Sequence, residues 1–148
     1  MRQAEDRGAA AAASRSAPPS REARLLGELG HLAPEADRTY RLLVGILLRD
    51  PAELQRLCAE TISPLRAYDA RHGTELVDTV REFLMHDGST IETAAAMSLH
   101  RHTVGYRLAR VQEVSGLSPY ESEGRERLGL GIKAEQILEA NERLSPMP

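Results

Sequence analysis

The sequence predicts an all-α protein. Three observations carry the prediction. Apolar residues recur at three- and four-residue spacing along most of the chain, helix start and stop signals fall between those runs, and no stretch alternates with the period of two that a half-buried strand requires.

Taken in order, residues 1–24 (MRQAEDRGAAAAASRSAPPSREAR) combine an alanine run with Ser, Arg and Pro18-Pro19 and read as a disordered tail. They contain no apolar signal core, and Glu5 and Asp6 argue against a transit peptide, so a cytoplasmic location is expected. Leu25, Leu26 and Leu29 then form a short helix closed by Gly30, and Pro34 marks a place where the next can begin. Tyr40, Leu43, Val44 and Leu47 recur at helical spacing, although this run, with Gly45 inside it, also fits a buried strand. Its apolar core, Leu42 to Leu48, is too short to span a bilayer. Asp50-Pro51 is a start signal, with Asp as N-cap and Pro at the first helical position, and Leu54, Leu57, Cys58 and Ile62 follow on one face until Ser63-Pro64 breaks the pattern. Gly73-Thr74 opens the next helix, with Thr74 as its cap and Leu76, Val77, Val80, Phe83 and Leu84 as its buried stripe. Asp87-Gly88 ends it.

The Ser89-x-x-Glu92 pattern is a capping box, so a short helix starts near Thr90. Ala94, Ala95, Ala96 and Met97 suit close packing on a neighbour, Ser98-Leu99 makes a turn, and a further helix runs from about His100 or Arg101 to Ser115, with Gly116 as C-cap. Two helices joined by so short a turn are the outline of a helix-turn-helix. At about 100° per residue, Val104, Leu108 and Val111 share one face of the second helix, while His102, Tyr106, Ala109 and Glu113 lie roughly opposite, with Thr103 and Arg110 beside them. Arg101 and Gly105 flank the apolar face on one side and Arg107 on the other. The outward face is rich in hydrogen-bond donors and free of acids until Glu113, as a helix that reads base edges in a major groove requires. After Leu117-Ser118-Pro119, a last helix begins near Glu121, with Leu128, Ile132, Ile137 and Leu138 as its apolar positions and Gly129 and Gly131 read as points of close packing.

Composition limits the chemistry. The 148 residues carry a net charge of −3, so any nucleic-acid surface must be local. The single cysteine, Cys58, excludes an internal disulfide and a cysteine zinc site, and its place in an apolar helical pattern reads as a small buried hydrophobe. His100 and His102, two apart on a helix, point to different sides and do not suggest a metal site. His86 beside Asp87 reads as a residue at a helix C-terminus interacting with its dipole. There is no nucleophile–base pair, phosphate loop or metal cluster, so neither enzymatic activity nor a cofactor is expected.

From about Leu65 onward the sequence resembles the C-terminal helix-turn-helix region of the PucR family of bacterial transcription regulators, also called CdaR-like. The resemblance rests on Pro64-Leu65, Tyr68-Asp69, His72-Gly73-Thr74-Glu75-Leu76, Thr79 and Thr93-Ala94, and above all on His100-Arg101-x-Thr103-Val104-x-Tyr106-Arg107-Leu108 with Val111 and Gly116. Tyr40 to Ile62 resembles, more loosely, the segment that precedes this module in the family. The Arg-x-Thr-aliphatic start of the helix is also similar to Fis-type DNA-binding proteins. The chain departs from the family at His102, where Asn is usual, and at Gly105, where a basic residue is frequent. The family generally places a sensor or ligand-binding region upstream, and here only the tail and some helices precede the module.

The resemblance implies three regions: the tail (1–24), a helical segment (25–72) and a DNA-binding domain (73–143). It implies a recognition helix at about 101–114 in the major groove of double-stranded DNA. Arg101, His102, Thr103 and Tyr106 are candidates for base or nearby phosphate contact, and Arg107 and Arg110 for backbone contact. A single module with few phosphate contacts binds poorly at physiological salt, so a homodimer is expected, through either the last helix or the Leu42–Leu48 segment. The alternative is a helical protein-interaction module that has kept the fold and lost DNA binding, for which the acidic net charge, Gly105 and His102 speak.

Overall fold

The computed structural model describes residues 17–30 and 37–145, which form eight helices and no strand. These are α1 (Arg21–Leu29), α2 (Asp37–Arg49), α3 (Pro51–Thr61), α4 (Ser63–His72), α5 (Leu76–Met85), α6 (Thr90–Met97), α7 (Arg101–Ser115) and α8 (Ser122–Leu144). Residues 1–16 of the expected tail, and the helix start read at Pro34, lie outside the described residues. Residues 21–24, read as tail, are instead the first turn of α1, because the Ser20 hydroxyl accepts the Ala23 N–H at 3.1 Å and caps a helix there. The Tyr40–Leu47 run is helix, not strand, and Tyr40, Leu43, Val44 and Leu47 are all buried. Asp50 occupies the N-cap position of α3 with Pro51 at its start, but its side chain makes no capping bond.

Two local readings are corrected. Ser63-Pro64 does not end the helical path: α4 follows at once, with the proline in its first turn, where a missing N–H costs nothing. Thr74 is not the cap of α5, whose N-cap position is Glu75. The capping acceptor comes from α4 instead. Asp69 takes the Leu76 N–H on Oδ1 at 2.8 Å and the Val77 N–H on Oδ2 at 3.1 Å, while the Thr74 hydroxyl donates to Asp69 Oδ1 at 2.5 Å. A single carboxylate thus fixes the angle between α4 and α5 and sits where the helix dipole favours negative charge.

Three apolar clusters make the interior. The first joins α1, α2 and α3 to the second half of α8, with Leu25, Val44, Leu54 and Ile137 at its centre. The second joins α4, α5 and α7 to the first half of α8, through Leu65, Val80, Val111 and Leu128. The third lies inside α5, α6 and α7 and contains Phe83, Ala94, Val104 and Leu108, with Leu99 packed on it. Helix α8 therefore spans both halves of the chain. Where it crosses α3 the backbones come close: a Cβ on Gly131 would lie 2.7 Å from Thr61 Cβ and 2.9 Å from Ile62 Cγ1. Gly129, read the same way, has only Leu84 at an ordinary contact distance and is not needed for the packing. Cys58 is buried at this crossing, and burial, with Glu135 and Glu139 nearby, pushes its thiol up to about 11, in keeping with a packing role.

Three threonines are fully buried, Thr61, Thr79 and Thr93. Each hydroxyl donates to the carbonyl four residues earlier, at 2.6, 2.7 and 2.7 Å, so none brings an unpaired polar group into the core.

Candidate nucleic-acid interface

The helix-turn-helix is assembled from strong local signals. Ser89 Oγ accepts the Glu92 N–H at 3.2 Å and starts α6 at Thr90, but the reciprocal half of the capping box is not made, since the Ser89 N–H donates to the His86 carbonyl at 3.0 Å. The Glu92 carboxylate lies 3.9 Å from His86 Nδ1, and His86 itself occupies the C-cap position of α5. At the other end of α6, Ser98 takes a left-handed conformation (φ 55°), and the Leu99 N–H bonds back to the Ala94 carbonyl at 2.9 Å. This is the bonding of a Schellman turn, and its hydrophobic partner is Leu99, which packs on the third cluster. Ala94 is the alanine that packs; Ala95 and Ala96, read as packing residues, are exposed.

Helix α7 then begins with an unusual cap. His100 Nδ1 accepts the His102 N–H at 3.1 Å, and the two imidazoles meet edge to face at 4.6 Å. Both rings are thereby placed at the start of the helix, and neither was legible in that role because histidine is not a common capping residue. The helix ends at Gly116, left-handed at φ 75°.

The rotation of α7 is that read from its spacing. Val104, Leu108 and Val111 are 0% exposed, and Tyr106 is 79% exposed on the opposite side. Arg101, His102, Ala109 and Arg110 are also exposed, and Thr103 is half-buried at the edge. Arg101, His102, Gly105, Tyr106 and Ala109 line a shallow depression, with Gly105 on its side toward the buried face. A Cβ at Gly105 would have no heavy atom within 4 Å, so nothing inside the protein demands glycine there. The helix carries three arginines and one carboxylate, against the acidic balance of the chain as a whole.

The arginines are not equivalent. Arg101 projects from the first turn. Arg110 pairs with Glu113 at 2.7 Å on an exposed surface, a bond of small net worth that a phosphate can displace. Arg107 reaches back to α5, where its Nη1 lies 3.3 Å from both Glu75 Oε2 and Thr79 Oγ1. The sequence reading missed Glu75 and Thr79 as partners of α7. Their four-residue spacing on one face of α5 was the available signal.

A family model for the PucR C-terminal helix-turn-helix domain matches residues 76–134, which contain α5, α6, α7 and the first half of α8. An uncharacterized protein from the pkwA 5′ region of Thermomonospora curvata is 34% identical over 129 residues, covering 82% of this chain and 71% of that protein. The chain belongs to the PucR family. The transcriptional activator PmfR of Paenarthrobacter nicotinovorans is 36% identical over 73 residues, 49% of this chain but 15% of PmfR. The uncharacterized protein YsfB of Bacillus subtilis is 44% identical over 43 residues, 29% of this chain and 12% of YsfB. This chain thus matches only a small share of PmfR and YsfB. No solved structure matches the chain.

The PucR-type module is a helix-turn-helix of a transcription-regulator family, not of an enzyme family. Several residues that carry the likeness have visible physical work here. Asp69 caps α5, Thr79 and Thr93 close backbone carbonyls in the interior, and Thr79 also receives Arg107. No helix among the described residues is long and apolar enough to cross a membrane.

Proposed function

We propose that this PucR-family chain is a sequence-specific, DNA-binding transcriptional regulator that inserts α7 into the major groove of double-stranded DNA. The observation that carries this reading is the division of α7 into two faces. Val104, Leu108 and Val111 are wholly buried, and Arg101, His102 and Tyr106 stand in solvent with no acid among residues 101–112. A groove-reading helix uses its N-terminal residues on base edges and neighbouring phosphates. Arg101, His102, Thr103 and Tyr106 fill those positions, offering a guanidinium, an imidazole and two hydroxyls. Arg110 contacts the backbone by exchanging Glu113 for a phosphate. Arg107 contacts it at the cost of its bond to Glu75, or else orients α7 through that bond.

The regulator acts as a homodimer that places two α7 helices in successive major grooves, about 34 Å apart. The α2 surface supports this assembly better than α8 does, because Leu42 is 63% exposed and Leu48 is 41% exposed on it. The test is fluorescence anisotropy with fragmented genomic DNA at two salt concentrations, followed by footprinting of the retained fragments. Binding that weakens steeply with salt and protects discrete sites supports the reading. Absence of binding at low salt by a folded protein rejects it, and favours a protein-interaction module in which Arg107 and Arg110 are committed to Glu75 and Glu113.

A further inference from the structure

Helices α2, α5 and α8 diverge on one side and leave an open cleft of about 930 Å³. That volume is within the range of small-molecule sites, roughly 300–1,000 Å³. More of its lining is apolar than polar, with Leu84, Met85, Leu130 and Ile132 contributing. Its charge is one-sided: Arg81, Arg125 and Lys133 face a single carboxylate, Glu126.

The polar groups converge and are poorly matched by the protein itself. Lys133 Nζ stands 5.9 Å over the Tyr40 ring, and the Tyr40 hydroxyl donates to Gln136 Oε1 at 2.6 Å. Arg81 Nε is buried and has no acceptor among the described residues, and its one ion pair, with Asp78, is long at 3.4 Å. Among the described residues neither Arg125 nor Lys133 forms an ion pair. The rest of the guanidinium is reachable, the Arg81 side chain being 37% exposed, and an anion entering the cleft would give its outer N–H groups a charge-assisted partner.

We propose that this cleft binds a small organic anion with an apolar body, its charge held by Arg81 and Lys133 and its body against the α5 and α8 leucines. The apolar lining disfavours a bare phosphate, and the concave shape suits a small molecule better than a second copy of the chain. Helix α5 is at once a wall of the cleft and the helix that holds Arg107 through Glu75 and Thr79. An occupant is therefore placed to shift α7. That consequence rests on the DNA-binding reading, whereas occupancy does not and is measured without DNA.

The probe is anilinonaphthalene sulfonate, an amphipathic aromatic anion whose fluorescence rises in apolar sites, compared with uncharged phenylnaphthylamine. The expected result is saturable binding of one sulfonate per chain, stronger than that of the neutral probe. It should be undisturbed by an excess of inorganic phosphate and competed by aromatic carboxylates. Lys133→Met and Arg81→Met should each weaken the sulfonate about tenfold while changing the neutral probe little. Gly129→Leu projects into the cleft and should weaken both. Thermal melts confirm that each variant is folded, since loosely packed states also bind the sulfonate; Arg81→Gln replaces Arg81→Met if the latter melts early. Non-saturable binding, equal affinity for the neutral probe, or unchanged sulfonate affinity in the folded Lys133→Met protein overturns the proposal.

Discussion

Two glycines inside helices should respond to the same substitution with opposite sign. Gly105 in α7 and Gly131 in α8 each cost a helix about 0.5–1 kcal/mol relative to alanine, through the conformational freedom lost on folding. At Gly105 a methyl group meets no atom within 4 Å, so Gly105→Ala should recover that amount in full. At Gly131 the methyl group would stand 2.7 Å from Thr61 Cβ and 2.9 Å from Ile62 Cγ1, well inside van der Waals contact. Neither neighbour can swing aside cheaply. Thr61 is β-branched and its hydroxyl is bonded to the Leu57 carbonyl at 2.6 Å, and Ile62 is fully buried. Overpacking of this kind costs about 1–3 kcal/mol, which exceeds the propensity gain and leaves Gly131→Ala destabilised by roughly 0.5–2 kcal/mol. In a chain of this size 1 kcal/mol moves the melting midpoint by about 4 °C. Calorimetry or urea unfolding should therefore find Gly105→Ala a few degrees above the parent and Gly131→Ala several degrees below it. Equal shifts, or a stabilised Gly131→Ala, would refute the close approach of α8 to α3. The same Gly105→Ala protein also tests the interface: DNA affinity should be unchanged, because Gly105 lies at the flank of the reading face, and Gly105→Arg should raise affinity for all sequences with a steeper salt dependence.

Val104→Asp or Leu108→Asp places an unpaired charge at a wholly buried position and should unfold the helix-turn-helix, seen as loss of the cooperative melt. Arg101→Ala and Arg110→Ala should each shallow the logarithmic salt slope of DNA binding by about one unit, measured by anisotropy, and unchanged slopes in folded variants would remove these arginines from the interface. Asp69→Ala removes the acceptor of the Leu76 and Val77 N–H groups and should lower stability by about 1–2 kcal/mol in urea unfolding. Cys58, raised to about 11 by its burial and by Glu135 and Glu139, should resist alkylation at pH 8 in the native protein and react on unfolding. Its folded-state value lies above the ordinary 9.0, so its contribution to stability is present below pH 9 and is lost as pH climbs through about 11; a Cys58→Ala protein should lack that part of the alkaline decline.

By itself the sequence determined the helical class, the position of most helices and the rotation of α7. Each of these is a local property. Apolar spacing decides which face of a helix leaves water, and Ser89, Gly30 and Gly116 start or stop helices through bonds or dihedral angles confined to a few residues. Helix α4 escaped because SPLRAYDARH has too few apolar residues to show a period, and buries Leu65 alone. What only the tertiary structure decided depends on partners distant in sequence. Asp69 caps a helix other than its own, so Thr74 looked like the cap. Arg107 is held by α5, which no reading of α7 alone can show. Gly129 and Gly131 look alike in the chain, and only the crossing of α8 over α3, set by packing on two separate clusters, makes one of them obligatory. The cleft has the same origin: Tyr40, Arg81 and Lys133 belong to three helices, and only their divergence brings the three side chains to one surface.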